Sequence, residues 1–155
     1  MNKIMKRIFI ISALLIVLIA PESNAQNKFS TDSLIIYMKK IGVKHLVIAL
    51  QQAKVETGHF TAPRFTKDHN VFGMQYAKNR KKTAIGKNGD YSTYDSWKKS
   101  VEDYYLWQNQ FGKLTGEENY KRLLVRRKYN LNKNYMKTVL AVYITEHEMD
   151  LINAR

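Results

Sequence analysis

The sequence predicts one mainly helical α+β domain that carries a small β-hairpin lobe. Three observations lead there. Apolar residues recur at helical spacing over residues 31–41, 97–111 and 134–152. An Asn88-Gly89 pair, a hairpin-turn signal, sits between short β-type runs. At 155 residues and 45% apolar content the chain has room for one ordinary core, and no repeat, linker or low-complexity tract divides it.

In chain order, Lys3, Lys6 and Arg7 form a basic start, residues 8–20 an apolar run, and Ser23-Asn-Ala25 a small-residue cleavage site. Residues 1–25 therefore read as an export signal cut before Gln26, with residues 26–155 as the domain. The 13-residue apolar run, ended by Pro21, falls short of the ~20 residues a spanning helix needs, so no stable membrane anchor is expected after cleavage. The expected location is the periplasm, the cell surface or the medium. There is no cysteine, which excludes both a disulfide and a lipid-modified cysteine. Without residues 1–25, 23 basic side chains face 12 acidic ones, a net charge of +11. Such a field attracts polyanions, and for an exported protein a wall bearing carboxylates and phosphates fits better than nucleic acid, although solubility alone also accounts for basic surfaces.

Thr31 can cap a helix to about Ile41, with Asp32 in its first turn, Lys39 and Lys40 in its last, and Gly42 as the stop. Leu34, Ile35, Met38 and Ile41 form its apolar face. A second helix over residues 44–57 has a core stripe of Leu46, Leu50 and Ala53, while Gln51 and Gln52 face either solvent or a groove. Ala49, Ala53 and Glu56 fall at i, i+4 and i+7, so Glu56 should project from a face that small residues keep open. With Gly58 as the stop, Glu56 lies in the last turn beside the negative end of the helix dipole. Phe60, Phe65 and Phe72 are near enough to wall it, and desolvation would add to the dipole in keeping the acid protonated near neutral pH. A protonated glutamate in a cleft is a general acid.

Residues 61–70 read as a loop that Asn70 can tie through side chain to backbone bonds. Short strands are expected at 72–76 and 91–94, with a further one at 83–85. Lys78, Arg80, Lys81 and Lys82 form a basic tip that meets either solvent or anionic stem peptides. Asp95 or Ser96 can cap a helix burying Trp97, Val101 and Tyr104 or Tyr105, with Trp107 partly exposed. Another helix should span 117–129, and a last one 134–152 with the stripe Met136, Val139, Leu140, Tyr143, Ile144, His147 and Leu151.

Ala53-Lys-Val-Glu-Thr-Gly-His-Phe60, then Phe65, Asn70-Val-Phe-Gly-Met74, Tyr91-Ser-Thr-Tyr-Asp-Ser-Trp97 and Ser100-Val-Glu-Asp-Tyr104 follow one another in an order that resembles the bacterial glucosaminidase family. A thinner similarity continues through Asn134-Tyr135. That family cuts the glycan strands of peptidoglycan. The resemblance implies a lysozyme-like fold, Glu56 as catalytic acid, Tyr91 and Tyr94 as cleft tyrosines, and His59, Phe60, Asn70, Phe72 and Gly73 as substrate-binding positions. Peptidoglycan is then the expected partner, and no cofactor and a monomer are expected.

Glycoside hydrolysis also needs a group that traps positive charge at the anomeric carbon. Asp90, the nearest acid in the β-lobe, is one candidate, and the substrate's own 2-acetamido oxygen is the other. The four histidines, His45, His59, His69 and His147, lack metal-ligand spacing, so no metal is expected. No serine sits in a nucleophile elbow. Two alternatives to a glucosaminidase stay open: an inactive wall-binding module, and a muramidase or lytic transglycosylase sharing the acid but cutting the other bond.

Overall fold

A computed structural model describes residues 28–154 other than 114 and 128. The expected signal peptide lies outside the described residues.

Helix α1 (Thr31–Ile41) starts one residue earlier than the threonine suggests. Ser30 is the cap, in a reciprocal box with Ser33, and Gly42 closes the other end at φ +84°. Helix α2 (Leu46–Glu56) is the centre of the molecule: α1 packs on it from one side, and helices from the C-terminal third from the other. It is buried almost all round. Leu50 and Ala53 enter a core with Leu34, Met38, Phe72, Val101 and Tyr104, and Ile48 enters a smaller one with Tyr120, Leu124, Tyr135 and Val139. Ala49 and Ala53 therefore do not keep an open face, and Gln51 and Gln52 face neither solvent nor groove. Their amides are satisfied internally, Gln51 by the Val142 carbonyl and Gln52 by the hydroxyls of Tyr104 and Tyr135.

The stretch after α2 holds a single helical turn, α3 (Pro63–Thr66), started by proline at its first position. The lobe is a two-stranded antiparallel sheet of β1 (Gly86–Asn88) and β2 (Tyr91–Thr93), with Asn88 opposite Tyr91 and Gly89-Asp90 forming the turn. The expected strand at 72–76 is reduced to one bridge, Gln75 to Tyr91, and the one at 83–85 is displaced to β1. Arg80 does not belong to an exposed tip. It makes a two-pronged ion pair with fully buried Asp103, at 2.5 and 3.0 Å.

Helix α4 (Trp97–Asn109) begins after Ser96 and buries Trp97, Val101, Tyr104 and Gln108. Helix α5 (Glu117–Arg126) is held by Tyr120 and Leu124. The long final helix expected over 134–152 is two helices, α6 (Tyr135–Leu140) and α7 (Glu146–Asn153). The break has a cause in the tertiary contacts. Gln51 and Lys54 of α2 donate to the carbonyls of Val142 and Tyr143, which a continuous helix would use itself, and Thr145 with Glu148 forms a capping box that restarts the helix. Glu148 also meets Lys54 at 2.7 Å, which pins α7 to α2.

Candidate active site

The end of α2 is made by Thr57, whose hydroxyl donates to the Ala53 carbonyl and accepts from the Phe60 N–H. Gly58, His59 and Phe60 then run at φ +53°, +54° and +67°. Two non-glycine residues in the left-handed region are uncommon, and they reverse the chain sharply enough to bring Phe60 back onto Phe29 and Phe65. His59 is left exposed and lines a separate recess with Lys137 and Tyr143.

Asn70 is fully buried and ties the following loop as its sequence position suggested. Its Nδ2 donates to the carbonyls of Met74 and Ser92, and its Oδ1 accepts from the Met74 N–H, each at 2.9 Å. That loop carries Gly73 under the carboxyl of Glu56. A side-chain carbon built on Gly73 would fall 2.8 Å from Cδ of Glu56, so the glycine makes the space the acid occupies, at φ +61°. Phe72 stacks face to face on Tyr104, with centroids 3.8 Å apart.

Glu56 is 8% exposed at its side chain. Burial holds its carboxyl above the usual range, against the opposing pull of hydrogen bonds from Tyr135 and Asn130 and the charge of Arg64, 3.8 Å away. The direction agrees with the sequence reading, but the cause does not lie in the three phenylalanines. Phe65 and Phe72 pack within the main core, and Phe60, partly buried, packs against it. Glu56 is enclosed instead by Gly73 beneath it and by Tyr135 and Asn130 beside it.

On its other side Glu56 opens into a groove of about 490 Å³, lined by Arg64, Asp68, Asn88 and Tyr91 among others. Arg64 lies flat over the Tyr91 ring at 3.5 Å, and Asn88 Nδ2 donates to Asp68 at 3.1 Å, which clasps the loop after α3 to the hairpin. A larger hollow of about 660 Å³ lies on α5 and α6, but its acid, Glu118, is exposed rather than enclosed.

The sequence profile of the glucosaminidase family, described as mannosyl-glycoprotein endo-beta-N-acetylglucosaminidase, matches residues 31–148. The chain belongs to the glucosaminidase family. Among curated proteins none matches it. A chain in the structure of a type VI secretion system effector–immunity complex from Pseudomonas protegens is similar in fold, with a TM-score of 0.54, 16% identity, and coverage of 84% of this chain and 94% of that one. The fold is mainly helical α+β and lysozyme-like, with the small hairpin lobe expected.

Within this glucosaminidase fold the expected site residues separate. Glu56, Gly73 and Tyr91 come together at the groove. Asn70 and Phe72 are buried supports of the loop beneath it, and Phe60, partly buried, packs against the core. Tyr94 does not leave a free hydroxyl: it is 3% exposed and donates to Asp103 at 2.7 Å, one residue past the end of β2, where the chain turns it inward while Tyr91 faces the groove. Asp90 sits exposed in the hairpin turn. The groove acid is Asp68, and Arg64, Asn130 and Tyr135 complete the surroundings of Glu56. None of these four was singled out from the sequence. Only Tyr135 left a signal, through the Asn134-Tyr135 resemblance.

Proposed function

We propose that the protein is an exported peptidoglycan hydrolase that cleaves the β-1,4 bond of N-acetylglucosamine in the glycan strand, with Glu56 as general acid. The observation that supports this most is a single enclosed carboxyl, kept above the usual range by burial, at the floor of an open groove. Family membership supplies the reaction class. Export rests on the sequence of residues 1–25. No helix among the described residues is long and apolar enough to cross a membrane.

In this reading Glu56 gives its proton to the glycosidic oxygen as the bond to the anomeric carbon breaks. The 2-acetamido oxygen of the same sugar attacks that carbon from the opposite face, and water then opens the cyclic intermediate, returning the proton to Glu56 with retention. Arg64 and Tyr91 contribute a flat cationic and aromatic wall, and Asp68, held by Asn88, presents acceptors to sugar hydroxyls or to the acetamido N–H. Asp90, exposed in a turn, has no support that would hold it as nucleophile or base, and takes a minor part.

Digestion of purified sacculi identifies the bond. N-acetylglucosamine at the new reducing end is the expected product. Muramic acid there would make the protein a muramidase, and an anhydro end a lytic transglycosylase. Intact glycan after prolonged incubation with folded protein would leave the wall-binding module.

A further inference from the structure

The groove beside Glu56 does not stop at the hairpin. Gln75 and Tyr91 face each other across the bridge that joins the loop after Asn70 to β2, and opposed residues of an antiparallel pair carry their side chains on the same face. Tyr91 lines the groove, while Gln75 lines a smaller hollow of about 160 Å³ together with Gly73, Arg80, Trp107 and Arg127 among others. The two spaces therefore meet over this pair. Gly73, which makes room for the Glu56 carboxyl, belongs to the wall of the hollow as well.

The hollow offers a backbone edge and one uncommitted cation. The bonds that flank the bridge run from the Tyr76 N–H to the Asp90 carbonyl at 2.8 Å and from the Ser92 N–H to the Met74 carbonyl at 2.9 Å. The N–H and C=O of Gln75 itself then point away from β2, and no backbone group among the described residues takes them up. Of the two guanidiniums, Arg80 is paired with Asp103. Arg127 is exposed, lies 4.8 Å over the Phe111 ring, and makes no ion pair among the described residues. Trp107 stands edge-to-face against both Phe111 and Tyr129, 5.1 Å from each, and the Tyr129 hydroxyl donates to the Phe72 carbonyl at 2.6 Å, so the floor is held in place. A ligand that suits both features carries a carboxylate close to an amide. An uncharged sugar lacks the first and a phosphate lacks the second, whereas a peptide with free carboxylates has both.

We propose that this hollow is a subsite for the stem peptide of the glycan strand, in which the Gln75 backbone pairs with a peptide amide and Arg127 grips a peptide carboxylate. This rests on the reading of peptidoglycan as substrate. It makes a strand that still carries its peptides the preferred one.

The test is isothermal titration of the Glu56→Gln protein, which leaves its ligands uncut, with three soluble probes: a peptide-bearing glycan fragment, the same fragment stripped of its peptides by an amidase, and chitotetraose. Arg127→Gln should weaken binding of the first by about tenfold, the loss of one charge-assisted pair, and leave any binding of the other two within about twofold. Arg126→Gln removes the same charge one residue earlier, outside the hollow, and should leave all three within about twofold. Both arginines are exposed, so neither change disturbs the core. A loss in Arg127→Gln that is equal on the stripped fragment would assign the cation to the lactyl carboxylate of the sugar, and an equal loss on chitotetraose would assign it to sugar hydroxyls. A loss as large in Arg126→Gln would reduce the effect to the general basic field. Each of these results would overturn the proposal, as would an unchanged affinity of Arg127→Gln for the peptide-bearing fragment, or no binding of that fragment at all. Because the titration needs no turnover, its failure is distinct from failure of the hydrolase reading, which lysis by Glu56→Gln decides.

Discussion

Glu56 and Glu148 are the same residue type at nearly the same side-chain exposure, 8% and 9%, yet their carboxyls move in opposite directions. At Glu148 burial pushes upward but loses to Lys54, 2.7 Å away, and to the hydrogen bonds from Thr145, so the carboxyl is held below its usual range. At Glu56 the cation, Arg64, stands 3.8 Å away and is itself nearly a third exposed, and the other helpers, Tyr135 and Asn130, are neutral, so burial wins. Burial alone does not make a proton donor. What distinguishes the two regions is how deeply the protein surrounds the carboxyl, more at Glu56 than at Glu148, together with whether a cation is locked against it.

The largest effect should come from breaking the locked pair. Lys54→Met leaves Glu148 buried without its cation and should cost about 3–5 kcal/mol, measured by urea unfolding. Adding Glu148→Gln to Lys54→Met should recover much of that loss, since no charge is then stranded. A small cost in the single variant would mean that Glu148 is no more tightly paired than Glu56.

The pH dependence of stability sharpens the contrast. Glu148, lowered on folding, contributes stability that is present above the ordinary carboxylate range and is lost as pH falls through its depressed value. Glu56, raised on folding, contributes stability that is present in acid and is lost as pH rises through its elevated value. Thermal melts across pH should therefore show Glu148→Gln losing the acid-side slope, and Glu56→Gln gaining on the wild type as pH rises toward neutrality. Equal pH profiles for the two variants would erase the distinction.

A smaller change is expected from Arg64→Gln. Removing that cation should raise the Glu56 carboxyl further and carry the alkaline limb of the activity profile upward, with a rate change within about tenfold at neutral pH. An unmoved limb would show that Arg64 acts on substrate alone. The smallest effect should be Asp90→Asn, about tenfold or less in hydrolysis of sacculi, with Asp68→Asn costing more because Asp68 lines the groove. The reverse order would restore the hairpin acid as the second catalytic group.

The parts that were legible in the sequence are those fixed by neighbours along the chain. Gly42 stops α1, Asn88-Gly89 marks the hairpin within one residue, Asn70 ties its own loop, and Glu56 ends its helix. The misreadings came from contacts made across the fold. The apolar period of residues 134–152 is helical throughout, and side chains of α2 taking the Val142 and Tyr143 carbonyls interrupt it ahead of the Thr145 cap. Arg80 looked like one more exposed cation because Asp103, which binds it, lies 23 positions later in an otherwise ordinary helix. Tyr135 and Asn130 reach Glu56 from more than seventy positions away, and no local pattern announces a hydrogen bond of that kind.

The claim that Glu56 is the proton donor is tested most directly by Glu56→Gln, assayed on purified sacculi at neutral pH alongside its melting temperature. The expected result is a loss of about 10²- to 10⁴-fold in lysis with a melting temperature no lower than that of the wild type, since the change removes the proton and also the cost of burying a charge. A folded Glu56→Gln protein that lyses sacculi at the wild-type rate would contradict it.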